Sequence, residues 1–478
     1  MRTVECHESL LNYIYSFKGY PRFIMNKTLG LYQIFKLCAR QPLCNSSSPI
    51  RNIHILSNVR RNYIKSVTHS HGLRSAAEHY SENENLDGPQ TENEVIPVEG
   101  IPLDILKLKT EVPAVDVKFR TKHNDPTKHT IEDEGLFYTV PKEDYNMYIK
   151  DGQWPAFHKQ VQAFQECALM VRRPALEIFE IVEHLNLKLP PARLLIYGQQ
   201  GHGKTVTLAH VVHRYAKAGW ITVHFPNMFE MIRYHTKTPK TCVKSFHNEA
   251  VYDLAEEAGA WLKFFKTQNK HNLEKFTTSQ EYKWSEKESS PAGTPLLDIV
   301  TLGMDRVKFA SDIIGVILKE LRSQAAEKNI KILVAIEGVN VLYKDIQALK
   351  DENKRVINGQ EISVFRNIQK MFEPTWHGGV CVGTVCPSVD ALDTQLDPLE
   401  VPYTPQYLLK QKGFEFMDPF IPILVPEFTM KEAYNAVDYL IDRKWIQRSR
   451  GKTHDGKKEL ILLSNRHPQE MMKLSALW

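Results

Sequence analysis

Apolar positions along this chain change their period several times, and each change marks an element. Val161, Phe164, Cys167, Ala168 and Val171 recur at spacings of three and four, which predicts one helix face introduced by Trp154 and Pro155. Pro174 opens a second helix, where its missing N–H is not needed, with Leu176, Phe179, Val182 and Leu185 as the stripe; Pro190 and Pro191 end it. Then the pattern switches to continuous apolar runs: RLLIY (193–197), WITVHF (220–225), KILVAIEG (331–338), VCVGTV (380–385) and FIPILVPEF (420–428). Runs of that length, apolar throughout, read as strands buried on both faces of a parallel sheet. Helical stretches separate them, at 206–219, 310–321 and 361–372. The predicted class is therefore α/β, a parallel sheet flanked by helices with right-handed crossovers.

The remaining segments are assigned by composition. LFYTVP (136–141) reads as a short strand inside an otherwise irregular arm, 114–154. Residues 227–300 read as a largely helical or irregular insert within a core spanning 155–428, and 390–413 as a loop. Thr429 is placed to cap a helix over 429–441. LILLS (460–464), after a polar turn at DGKK (455–458), completes a small helical and hairpin lid over 429–478.

Charge changes the picture at the N-terminus. Residues 1–77 hold eleven Lys/Arg against Glu5 and Glu8, leaving 50 basic and 54 acidic side chains downstream of a chain whose net charge is +5. No acid occurs between Ser9 and Ala77. Acid-poor, Arg- and Ser-containing and amphipathic, this stretch reads as a mitochondrial import presequence (1–61), ending near Arg60 and Arg61, with Met25 as an alternative start. A basic RNA-binding arm kept on the mature protein is the alternative. An acidic, Pro-containing linker (62–113) follows. Seven cysteines, odd in number and never spaced C-x-x-C, exclude a disulfide framework and point to a reducing compartment. No apolar run approaches the roughly 18–20 residues a bilayer span needs, so membrane insertion is not expected.

One motif carries chemistry. Gly198, Gln199, Gln200, Gly201, His202, Gly203, Lys204 and Thr205 form a complete G-x-x-x-x-G-K-T loop between an apolar strand and an amphipathic helix. Glycines let backbone N–H groups curl around a phosphate where a Cβ would collide, and the helix start turns its dipole toward that phosphate. Lys204 is expected to reach the β- and γ-phosphates and Thr205 to hold Mg²⁺. His202 reads as an exposed bystander. Glu337, ending an apolar strand, is the candidate second Mg²⁺ ligand. Gly338 follows it, where hydrolytic machines place a water-orienting acid, so slow or absent turnover is expected. Thr384 ends the next strand, in reach of a γ-phosphate or serving the sheet. Asn269–Lys270 and Asn353–Lys354 both lack the acid of a guanine-reading N-K-x-D, which leaves the base open.

Several blocks together resemble one family: LLIYGQQGHGKT, ALMVRRPALE (168–177), WLKFFKT (261–267), GVILKELRSQ (315–324), ILVAIEG (332–338), WHGG (376–379) and DPFIPILV (418–425) are similar to the death-associated protein 3 family. The resemblance covers the chain from about 155 onward and implies an AAA-like P-loop NTPase core. It implies bound GTP or GDP, with ATP left open, and Mg²⁺ held with Glu337 standing where the family carries Asp. It also implies a structural place in the small subunit of the mitochondrial ribosome, in the matrix. Partners would be small-subunit proteins, rRNA and the large subunit across the interface, and a pro-apoptotic role is implied as well. The alternatives are an AAA-like NTPase that remodels a partner, or a nucleotide-switched adaptor in cell death.

Overall fold

Strand β1 (Phe137–Val140) is short because Gly135 and Pro141 bound it, and its partner comes from where a helix was expected. The helix that Pro155 opens, α1 (Pro155–Phe164), stops at Gln165, whose φ of +54° leaves the helical region. Strand β2 (Cys167–Met170) then pairs antiparallel with β1 in the register Phe137 to Met170. The helical spacing of Cys167, Ala168 and Val171 was thus a coincidence of a strand following a helix. Helix α2 (Arg173–His184) places Pro174 in its first turn, as read from the sequence.

The structure is a computed structural model describing residues 118–232, 240–328, 330–394 and 397–478, all within one unit, Lys109–Trp478. The expected presequence (1–61), the whole acidic linker (62–113) and the first residues of the arm, 114–117, lie outside the described residues.

Strand β3 (Ala192–Tyr197), helix α3 (Lys204–Lys217) and strand β4 (Ile221–Phe225) form the first crossover unit. The insert that follows contains α4 (Ala255–Leu273), α5 (Leu296–Asp305) and two small antiparallel ladders, one of them joining Tyr282–Lys283 to Ser289–Ser290. Helix α6 (Ala310–Glu327) leads to β5 (Ile332–Glu337), and α7 (Ser363–Gln369) to β6 (Gly379–Thr384). Residues 390–413 are not a loop: α8 (Pro387–Thr394) and α9 (Pro405–Met417) occupy much of that span. Helix α9 is interrupted at Lys410, where φ is +56°, so its apolar residues Leu408, Leu409 and Met417 show no unbroken period to read. Strand β7 (Ile421–Leu424) closes the sheet.

The order β7-β3-β6-β5-β4 is parallel throughout. Alternate residues of each strand enter separate cores. Ile332, Val334 and Ile336 pack with α4 to α7, while Leu333 and Ala335 pack with β1, β2, α2 and α3. A third core, which includes Phe164 and Met170, joins the C-terminal helices α10 (Met430–Asp442), α12 (His454–Leu463) and α13 (Pro468–Ser475), with the short α11 (Ser449–Lys452) between the first two. Thr429 does cap α10: its hydroxyl accepts from the Glu432 N–H, and the Glu432 carboxylate accepts from the Thr429 N–H. The expected hairpin is absent. LILLS ends α12, burying Leu460 and Ile461 and exposing Leu462 and Leu463, and Asp455 to Lys458 lie in the same helix because Thr453 caps it. Among the described residues no helix is long and apolar enough to cross a membrane.

Candidate nucleotide site

The loop 198–205 leaves the carboxyl end of β3 and enters α3, the edge at which open α/β sheets bind ligands. Gly198, Gly201 and Gly203 have φ of +148°, +86° and +100°. At Gly198 a Cβ would stand 2.4 Å from the Val425 carbonyl oxygen. Gly203 is the N-cap of α3 and brings no side chain to it, so the first N–H groups of that helix have no side-chain acceptor. A phosphate is the group such an end accepts.

Lys204 is buried and its Nζ donates to the loop's own carbonyls, Gly198 at 2.9 Å and Gln199 at 3.0 Å. Burial pulls its pKa down to about 8, with Cys386 and Glu337 opposing the shift. Strand β6 lies between β3 and β5, yet Thr205 and Glu337, 132 residues apart, meet: the Thr205 hydroxyl donates to the Glu337 carboxylate. Burial raises that carboxyl to about 8, offset by the Thr205 hydrogen bond and by Lys204. Among the described residues no three His, Cys, Asp or Glu side chains are grouped to hold a metal. A cation here would rest on Thr205, Glu337, water and phosphate oxygens, a set that fits Mg²⁺.

The Glu337 shift has a measurable consequence without nucleotide or Mg²⁺. An acid whose folded pKa is raised stabilises the fold fully below its ordinary value of 4.5, and that contribution is lost as pH climbs through about 8. Glu337→Gln stays neutral, so it is expected to melt with the wild type near pH 4.5 and increasingly above it toward pH 8. Glu337 keeps some solvent contact, which reduces the size of the gap and not its sign. Calorimetry showing no widening with pH would contradict the buried-carboxyl geometry.

His202 is not an exposed bystander. It is 8% exposed, its Nδ1 lies 3.2 Å from the Val425 carbonyl, and its ring centre is 4.9 Å from that of His467. Burial lowers its pKa to about 4. Thr384 is engaged in the sheet, accepting from the Gly338 N–H at 3.2 Å. Asn269 is likewise occupied, pairing with both the N–H and the carbonyl of Thr222 at 2.9 Å.

Three residues that the motif did not reveal hold the loop in place. Arg172 donates from Nη1 to the His202 carbonyl at 2.7 Å and from Nε to Glu432 at 3.0 Å, with Nη2 on the Pro426 carbonyl at 3.0 Å. Its guanidinium also covers the Phe428 ring. His467 accepts the Glu470 N–H at Nδ1, which leaves Nε2 to donate to the Gln200 carbonyl at 2.9 Å. The Gln469 N–H donates to the Gly201 carbonyl at 3.3 Å. Arg172 lies within the ALMVRRPALE block, but helical spacing read through its neighbours hid its position after a strand.

Gly201 and Gly293 share a φ of +86°, but a Cβ at Gly201 would meet His467 Cε1 at 2.4 Å, whereas at Gly293 nothing lies within 4 Å. Alanine at Gly293 is expected to cost only the left-handed strain, about 1–2 kcal/mol. Gly201→Ala should lose more in urea unfolding, because His467 and Gln469 must move. Equal losses would mean that the C-terminal segment shifts off the loop without penalty.

The family model described as mitochondrial ribosomal death-associated protein 3 matches residues 169–474. The Mus musculus small ribosomal subunit protein mS29 is 36% identical over 357 residues, 75% of this chain and 89% of its own length. The Bos taurus small ribosomal subunit protein mS29 is 37% identical over 360 residues, 75% of this chain and 87% of its own length. A chain of a solved E. coli MS115-1 HORMA:CdnC:Trip13 complex aligns over 73% of this chain and 95% of itself at 10% identity, with a TM-score of 0.22, too low to bear on the fold.

Proposed function

Because the chain belongs to the mitochondrial ribosomal death-associated protein 3 family, we propose that it is a structural component of the mitochondrial small ribosomal subunit with an AAA-like P-loop NTPase core. In this reading it works in the matrix and holds a guanine nucleotide, GTP or GDP, with Mg²⁺. The observation that carries the nucleotide is the meeting of Thr205 with Glu337 beside the start of α3, which no protein side chain caps. Slow or absent hydrolysis follows from Gly338, with φ of +86°, standing where a water-orienting acid would be needed. The same gap disfavours the partner-remodelling NTPase.

The nucleotide's role in this proposal is to tie β3, α3 and β5 together. A ligand that binds only the folded state stabilises it by RT ln(1 + [L]/Kd). Sucrose-gradient fractionation of mitochondrial lysate tests the assignment. Co-migration with small-subunit markers at moderate salt is expected, and confinement to the top of the gradient would overturn it. A pro-apoptotic role would require a ribosome-free pool in the same gradient.

A further inference from the structure

The slight acidic excess downstream of residue 77 conceals a local surplus of positive charge. A cavity of about 330 Å³ lies between α6, the end of α7 and the ladder around Tyr282. Lys319 and Arg322 line it from α6, three residues apart and so on one helix face. Lys283 lines it from the ladder, and Lys370 from the end of α7. None of the four makes an ion pair among the described residues. Elsewhere many of the chain's cations are matched, as Arg306 is by Glu288 and Arg355 by Glu361. Arg322 senses Glu373 only at longer range, and its Nη1 donates to the Lys370 carbonyl at 3.1 Å, which holds the guanidinium at the rim.

Acids near the cavity do little to cancel this charge. Asp312, the carboxylate that lines it, is turned toward His247 at 3.6 Å. Glu320 lies beneath, fully buried, and its oxygens are taken by Ser279, Tyr282 and Gln324. Tyr282 remains at the wall, half-buried, with the Lys319 ammonium 5.6 Å from its ring centre.

We propose that this cavity is a docking site for the phosphodiester backbone of a single RNA strand. Four convergent, unmatched cations attract a polyanion and gain free energy from counterion release when phosphates replace small ions. Three of the four are lysines, which meet phosphate as point charges, and Arg322 adds a planar N–H fork that also suits phosphate oxygens. The volume is at the lower end for a small-ligand cavity, room for a sugar–phosphate unit and not for the roughly 10 Å cylinder of a partner's helix. An aromatic ring beside cations is the arrangement single-strand sites use. The choice of RNA over other polyanions rests on the ribosomal reading above.

The test is fluorescence anisotropy of the full chain with a labelled single-stranded RNA of mixed sequence, over roughly 50–300 mM salt. Lys319→Gln/Arg322→Gln is expected to weaken binding about tenfold or more at low salt and flatten the slope of log K against log salt by about 1.4, two phosphates at 0.7 each. Lys283→Gln/Lys370→Gln should do the same, which guards against a misfolded first variant. Lys142→Gln/Lys159→Gln, exposed and outside the cavity, removes equal charge and should leave the slope nearly unchanged. An unchanged slope in both cavity variants overturns the proposal, as does tighter binding of a polyglutamate peptide than of RNA. Gradient migration separates the two readings. Normal co-migration with no RNA effect removes only the cavity assignment, whereas an RNA effect without co-migration supports the cavity and overturns the ribosomal placement.

Discussion

Lys204→Ala is expected to cut nucleotide affinity by at least about a hundredfold, from the loss of charge-assisted hydrogen bonds at about 1.5–3 kcal/mol each. In the structure its Nζ rests on the Gly198 and Gln199 carbonyls, contacts a phosphate would supplant. Its removal also unpairs those two carbonyls, so each variant's own melting point without nucleotide is the reference for the shift. The difference appears on adding GDP and Mg²⁺. At a hundred times its Kd the wild type gains about 2.7 kcal/mol, whereas a variant weakened a hundredfold gains about 0.4 at the same concentration. Thermal shift with and without GDP reads this directly. If the nucleotide supports assembly, the same variant should also incorporate poorly into the small subunit. Lost nucleotide with normal incorporation would end the structural role assigned to it.

The second large effect belongs to a residue with no motif. Arg172 and Glu432 are 6% and 2% exposed and paired at 3.0 Å. Removing one member of a buried pair leaves the other charge without compensation, at a cost of about 3–5 kcal/mol. Arg172→Ala should lower urea-unfolding stability by that amount and release the His202 carbonyl, so that nucleotide affinity falls with it. Arg172→Ala/Glu432→Gln is the informative companion. Glutamine still accepts the Thr429 N–H that caps α10 but carries no charge, so the double variant should recover part of the loss. A double variant as unstable as Arg172→Ala would mean that the guanidinium's backbone contacts, not the ion pair, hold the segment.

The site was legible as far as local pattern reaches. A strand, a glycine loop and a helix contiguous in the chain declare themselves by composition, and an apolar run ending in Glu337 marks the opposing acid. The sheet was legible for the same reason: strands buried on both faces must be apolar throughout, as β5 and β6 are. Errors fell where periods were broken or overlapped. Gln165 in a left-handed conformation split one apparent stripe into α1 and β2, and Lys410 interrupted α9.

By itself, then, the sequence determined the chemistry available at the loop, the α/β class and the parallel core, because each depends on neighbours in the chain. Only the tertiary structure decided what surrounds that loop. Arg172 reaches it from 30 residues before His202, His467 from 267 residues after Gln200, and Glu432 meets Arg172 across 260. Contacts at those separations leave no period or spacing to read. They are selected when the C-terminal helices bury Val437, Leu440 and Ile461 in one core with Phe119, Phe164 and Met170, which fixes where the polar groups beside them must bond.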